Sequence, residues 1–159
     1  MHIEHACRTA AKFLPLELSD PGHIRPRQWR AWLTGQPPYD RHLTPRRVFV
    51  AYEFSDILGF IAVMHDSIFA GYRADVAGLF VTPRYRRQGI GSALLVHAAK
   101  WLQEDGIDRV TADCYAHDPT RNFFDRLGGV VIASTDDADP AARITYGFAN
   151  LRELAARPL

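Results

Sequence analysis

The stretch Leu79-Phe80-Val81-Thr82-Pro83-Arg84-Tyr85-Arg86-Arg87-Gln88-Gly89-Ile90-Gly91-Ser92-Ala93-Leu94-Leu95 does most to limit what this chain can fold into. The apolar and β-branched residues up to Val81 predict a strand. Pro83 follows it, where a proline no longer interrupts a ladder of hydrogen bonds. Arg84, Arg86 and Arg87 then crowd a turn, and Gly89 and Gly91 open a helix. A helix start offers unpaired backbone N–H groups and a partial positive charge. Glycine lets an anion sit directly on that main chain, and arginine adds charge-assisted contacts. The stretch therefore predicts a phosphate-bearing ligand.

The segments around it predict their own elements. Val48 to Tyr52 and Ile57 to Met64 read as two strands joined by a turn at Ser55-Asp56. Asp75 to Thr82 is the strand before the arginine turn. Gln88 to Glu104 is a helix with Ile90, Leu94, Ala98, Trp101 and Leu102 on one stripe, ended by Asp105-Gly106. Arg109 to Tyr115 is a further strand. Asp118 suits an N-cap and Pro119 a first helical position, so 119–127 is a short helix stopped by Gly128-Gly129. Val130 to Ser134 and Arg143 to Phe148 are two more strands, followed by a helix or tail over 149–156. Short helices over 6–18 and 27–33 lie in a loop-rich N-terminal region.

A strand, helix and strand over 75–115 imply a right-handed parallel crossover. The hairpin before it and the strand pair after it imply antiparallel neighbours. The fold class expected is α/β, with a mixed, mostly antiparallel central sheet and helices on both faces.

The chain has 159 residues, and one domain over 1–159 is expected. A formal net charge of +1 argues against a bulk-charge nucleic-acid binder. The positive charge is almost all arginine, a bacterial-like bias, so only the local cluster at 84–87 carries functional weight. Cys7 and Cys114 make no disulfide framework. A basic start followed by an apolar run is missing at the N-terminus, and no apolar run approaches the ~20 residues that span a bilayer. A cytoplasmic protein with no membrane partner is expected. The histidines at 2, 5, 23, 42, 65 and 97 show no metal-ligand spacing, so no metal is expected.

The glycine pair fails two familiar patterns. A dinucleotide fingerprint needs a third glycine at residue 94, which is leucine. The nucleotide hydrolase loop needs a Gly-Lys-Ser/Thr ending, and no lysine follows either glycine. Arg86-x-x-Gly89-x-Gly91, directly after Leu79-Phe80-Val81-x-Pro83, instead resembles the acyl-CoA-binding signature of the GNAT superfamily of N-acetyltransferases. Arg109 to Gly129, ending Asn122-Phe123-Phe124-Asp125-Arg126-Leu127-Gly128-Gly129, resembles the family's next strand and helix. The hairpin at 47–64 resembles the strands before the cofactor strand. In all, residues 25–150 are covered.

The resemblance implies acetyl-CoA as co-substrate and an amine as acceptor. It implies that the backbone of Leu79 and Val81 bonds the pantetheine amides. It further implies that Arg86 and the N–H groups of Arg87, Gln88, Gly89, Ile90, Gly91 and Ser92 surround the pyrophosphate. The N–H of Leu79 or Phe80 would meet the developing oxyanion, and Asp75 would act as base, directly or through water. Phe124 stands where the family often carries a tyrosine acid and can only pack against the cofactor. Tyr115 is the best placed substitute acid, with Cys114 and His117 as others; His117 itself stands where asparagine is common. The acceptor site would draw on 20–46, 65–74 and 135–146, with Trp29, Trp32, Tyr39, Phe69, Tyr72, Tyr146 and the acidic group Asp136, Asp137 and Asp139. A homodimer could pair through the 143–148 strand. Two readings follow: an N-acetyltransferase working by direct transfer, or an acyl-CoA-binding module without efficient chemistry.

Overall fold

The computed structural model describes residues 1–5, 46–54, 56–135, 139 and 141–157. Its elements are β1 (His2–His5), β2 (Arg46–Glu53), β3 (Asp56–Met64), β4 (Ala74–Val81), α1 (Ile90–Glu104), β5 (Val110–Tyr115), α2 (Thr120–Arg126), β6 (Val130–Ser134), β7 (Arg143–Phe148) and α3 (Leu151–Ala155). The strands form one sheet in the order β1-β2-β3-β4-β5-β7-β6. Among the described residues only β4 and β5 run parallel; every other neighbouring pair is antiparallel. This is the mixed sheet with one crossover that the residue pattern implies. Strand β1, which pairs with β2, was not anticipated from the sequence.

Alternation along the strands sorts their side chains onto two faces. Phe49, Ala51, Ile61, Val63, Ala74, Val76, Val110, Ala112, Cys114, Ile144, Tyr146 and Phe148 join the main core. Helix α1 packs on that core with all five residues of its expected stripe buried. Each large apolar side chain so buried stabilises the fold by about 1.5–3 kcal/mol. Helix α2 adds Phe124 to the same core, and α3 adds Leu151 and Leu154. Val48, Val50, Ile57, Phe60, Ala62 and Phe80 form a second cluster on the opposite face. Among the described residues every helix packs on the first face. The helices expected over 6–18 and 27–33 lie outside the described residues, as do Trp29, Trp32, Tyr39, Asp136 and Asp137.

Three expectations need correction. Helix α1 starts at Ile90 rather than Gln88. Arg87 and Gly89 take left-handed conformations, φ 67° and 82°, so 86–89 stays a turn, preceded by a 3-10 turn at Pro83–Tyr85. The strand 143–148 is no edge, because β5 flanks it on one side and β6 on the other. Among the described residues the edge on this side of the sheet is β6, with Val130 65% and Val131 46% exposed. Helix α2 starts at Thr120, one residue late, with Pro119 rather than Asp118 at its N-cap position, although Asp118 Oδ1 accepts from the Thr120 N–H at 2.7 Å. No described helix is long and apolar enough to cross a membrane.

Candidate active site

The site begins as a gap in the sheet. Strands β4 and β5 pair only at Ala74–Val110, Asp75–Thr111 and Val76–Ala112. The register of β4 against β3 then slips between Val76 and Gly78, leaving Ala77 as a bulge. Bulges bend a strand and end pairing with a neighbour. Past this point β4 follows β3 and β5 follows β7, and a cleft of about 980 Å³ opens between them. Its walls are Asp75 to Val81, the turn and start of α1, Asp113 to Tyr115, and the start of α2.

Hydrogen bonding decides which backbone groups the cleft receives. The Thr82 N–H donates to the Leu58 carbonyl at 2.9 Å, so Thr82 turns its polar groups toward β3. In an antiparallel ladder alternate residues face the same side. Phe80 therefore also faces β3, while Leu79 and Val81 face the cleft. Of the two N–H groups considered for the oxyanion, that of Phe80 is spent on the sheet and that of Leu79 is not.

At one end of the cleft lies the arginine turn. Arg87 and Gly89, both left-handed, line the cleft just before the head of α1, and left-handed residues in such turns let successive N–H groups converge on an anion. The first N–H groups of the helix have no partner within it. The turn is anchored from outside. Arg84 reaches the Asp56 carboxylate at 3.2 Å, and the Tyr85 hydroxyl donates to the same oxygen. Arg86 Nε donates to the Val81 carbonyl at 3.0 Å. Gly91 lets the Phe123 ring come close: a Cβ there would lie 3.4 Å from it. Arg86, Arg87, Gly89, Ile90, Gly91 and Ser92 line the cleft. Gln88 does not; its amide reaches back to the Arg84 carbonyl at 3.5 Å. This end can receive an anion.

At the other end, polar side chains project from the face opposite α1. Thr111, Asp113 and Tyr115 on β5 alternate with the core residues Val110, Ala112 and Cys114. Thr111 stands beside Asp75 on β4, and Tyr115 opposite Arg143 on β7. Asp75 Oδ1 accepts from the Thr111 hydroxyl at 2.7 Å. Burial of the Asp75 carboxyl raises its pKa to about 6, despite the opposing pull of that hydrogen bond. Asp75 is therefore not a solvated strand-edge residue. The Arg143 guanidinium lies 3.6 Å from Asp113 and 5.1 Å from the centre of the Tyr115 ring. Tyr115 is 42% exposed and lines the cleft, so it is not a packed strand tyrosine.

Other expected residues fall elsewhere. Burial pushes the Cys114 thiol up to about 11, which leaves it protonated and unfit as a nucleophile. His117 borders a separate hollow with Arg121 and Ser134. Phe124 borders the cleft but is only 2% exposed, held between Tyr146 and Phe148. Tyr146, expected near an acceptor, is a core residue at 1% exposure. Thr111, Asp113 and Arg143 were missed. The polar alternation Thr111-x-Asp113-x-Tyr115 in an otherwise apolar strand was the signal for the first two.

The sequence matches the family model of the acetyltransferase (GNAT) family over residues 16–129. The chain belongs to the GNAT acetyltransferase family. Solved structures share the fold. One is an acetyltransferase of the GNAT family from Streptococcus pneumoniae, 18% identical, covering 92% of this chain and 97% of that one with a TM-score of 0.68. Another is the ribosomal-protein-alanine N-acetyltransferase from Brucella melitensis, 16% identical, covering 94% and 99% with a TM-score of 0.70. A streptothricin acetyltransferase structure from Bacillus anthracis, in complex with acetyl coenzyme A, is 18% identical and covers 65% and 63% with a TM-score of 0.58. No curated protein matches the chain. As a GNAT member the protein is an acetyl-CoA-dependent acetyltransferase.

Proposed function

We propose that this GNAT enzyme moves the acetyl group of acetyl-CoA directly to a primary amine of a small molecule or peptide, as one catalytic domain. The observation that carries this reading is Asp75, a sheltered carboxylate on the cleft wall where β4 and β5 part. An amine must lose a proton to attack, and a base titrating near 6 is ionised at neutral pH. Asp75 takes that proton, through a bridging water because an aspartate side chain is short. The Asp113 carboxylate nearby adds to the attraction for a cationic acceptor.

The rest of the cleft divides the remaining tasks. The Leu79 and Val81 backbones hold the pantetheine as an added strand would, once Arg86 yields the Val81 carbonyl. The N–H groups of Arg87, Gly89, Ile90, Gly91 and Ser92 and the Arg86 and Arg87 side chains hold the pyrophosphate. The Leu79 N–H donates to the carbonyl oxygen as negative charge builds there. Tyr115 supplies the proton that the leaving sulfur needs. A new C–N bond forms and the C–S bond breaks; the ammonium gives one proton to Asp75 before attack, and the second nitrogen proton, lost as the tetrahedral intermediate collapses, replaces the one that Tyr115 gives to the leaving sulfur. Phe124 has no proton to give and supports Phe123 and the cleft wall from the core.

The test is thiol release from acetyl-CoA across a panel of primary amines, small molecules beside peptides. Direct transfer predicts initial-rate lines that intersect when both substrates are varied. Parallel lines, or an isolable acetylated enzyme, would overturn it. Tyr115→Phe is expected to lower kcat by about 10². If Phe124→Tyr instead raises the rate and Tyr115→Phe leaves it unchanged, the acid belongs at 124.

A further inference from the structure

Asp75 is joined to two hydroxyls. Its Oδ1 accepts from Thr111 Oγ1 at 2.7 Å, and Thr111 Oγ1 lies 3.0 Å from Ser67 Oγ. Ser67 belongs to the connection between β3 and β4, and its Oγ accepts from the Phe69 N–H at 3.3 Å. Thr111 has one proton to give. With Asp75 ionised, that proton goes to the carboxylate, so Ser67 must donate to Thr111. The chain then runs Phe69 N–H to Ser67, Ser67 to Thr111, Thr111 to Asp75. Its polarity is fixed at the far end by a backbone amide, which can only donate.

The same atoms serve the protonated acid. The Ala74 carbonyl lies 3.3 Å from Thr111 Oγ1. When Asp75 holds a proton, its O–H donates to Thr111 Oγ1 and the Thr111 proton turns to Ala74. Ser67 keeps its bond to the second lone pair of Thr111. Neither state breaks the run from Ser67 through Thr111 to Asp75, and an unmet buried polar group is what makes proton uptake costly in a sheltered place. Among the described residues Oδ2 of Asp75 has no hydrogen-bond partner, so it is the oxygen left for the incoming proton, and a half-turn of the carboxyl then brings that O–H to Thr111.

We propose that Ser67 and Thr111 are positioning residues that hold Asp75 hydrogen-bonded in both of its protonation states while it exchanges a proton across the cleft. The proposal rests on the reading of Asp75 as the base. Because Ser67 lies in the connection expected to shape the acceptor site, the same chain ties that connection to the base. The other charged groups acting on Asp75 are Asp113 on β5, Arg143 on β7 and Asp66 beside Ser67. They are left in place by every variant below.

The experiment follows the Asp75 carboxyl by ¹³C NMR, its signal assigned by its loss in Asp75→Asn, together with the pH dependence of kcat/KM. Thr111→Val keeps the shape and removes the donor. Because the charge-assisted bond to the carboxylate is the stronger of the two, its loss is expected to raise the Asp75 pKa by roughly one to two units. The acid limb of the rate profile should move with it, and kcat/KM at pH 7 should fall about two- to ten-fold as the ionised fraction drops. Loss of positioning adds a lower plateau at high pH. Thr111→Ser should restore both titration and rate. Ser67→Ala should shift the titration the same way by less. An unmoved titration and profile in Thr111→Val would overturn the proposal. An acid limb that survives Asp75→Asn would instead remove Asp75 as base. The NMR titration would still report separately whether the hydroxyls hold it.

Discussion

The two ends of the cleft are made of different material. The end proposed to hold phosphate is one contiguous turn, Pro83 to Ser92, whose working groups are backbone N–H and arginine. The acyl end is assembled from side chains of β4, β5, β7 and the connection after β3, with Thr111 36 residues from Asp75 and 44 from Ser67. The first end depends on local conformation and fixed charge. The second depends on the sheet bringing distant residues together and on sheltering a carboxyl from water. Binding should therefore follow the turn, and turnover with its pH dependence should follow the strands.

The strongest challenge to that division is a charge reversal in the turn. Gly89→Asp puts a carboxylate where an anion is to bind, in a left-handed position that costs a side chain extra. It is expected to weaken acetyl-CoA binding by at least ~100-fold, the loss of two or more charge-assisted contacts. A calorimetric titration reads this, and near-normal affinity would mean that the turn is not the anion site. Asp75→Asn comes next. It should lower kcat/KM by about 10²–10⁴ while the affinity for acetyl-CoA stays within about three-fold. A parallel loss of affinity would merge the two ends.

The sheltered carboxyl also sharpens the contrast through stability. Its folded pKa lies near 6, above the ordinary aspartate value of 3.8. A raised pKa means that the folded state favours the neutral acid. Stability from that preference is full below about 4 and is lost as pH rises through 6. Asp75→Asn, neutral at every pH, should raise the unfolding free energy at pH 8 by up to about 3 kcal/mol and by little at pH 4. Denaturant melts at the two pH values check it, and an equal change at both would remove the desolvation argument. The smallest effect is expected from Gly129→Ala. Its Cβ would stand 2.9 Å from the Phe148 ring and 3.0 Å from Tyr146. Overpacking of this kind costs about 1–3 kcal/mol, and the variant should melt lower while its pH profile stays in place.

The phosphate end could be read from the sequence because everything it needs is adjacent: strand, proline, arginines, two glycines and the apolar stripe of α1. The acyl end was legible only in part. Asp75 was picked as the candidate base through its distance from Val81 in the family pattern, but its shelter was not legible, because Thr111 and Ser67 reach it only through the parallel pairing of β4 and β5. Tyr115 was singled out as the substitute acid, but its exposure was not legible, because a strand gives no sign of where its neighbour leaves it. The same splay that opens the cleft keeps Tyr115 exposed. Helix α1 was expected to begin at Gln88 because periodicity does not register a left-handed Arg87. Strand 143–148 was taken for an edge because sheet order follows crossover geometry, not chain order, and β6 lies outside it.

The most direct measurement is a side-by-side calorimetric titration of acetyl-CoA into wild type, Gly89→Asp and Asp75→Asn. Saturable binding by wild type and Asp75→Asn alike, with none by Gly89→Asp, is the predicted result. Equal binding by Gly89→Asp, or loss of binding in Asp75→Asn, would contradict a cleft with one end for holding and the other for chemistry.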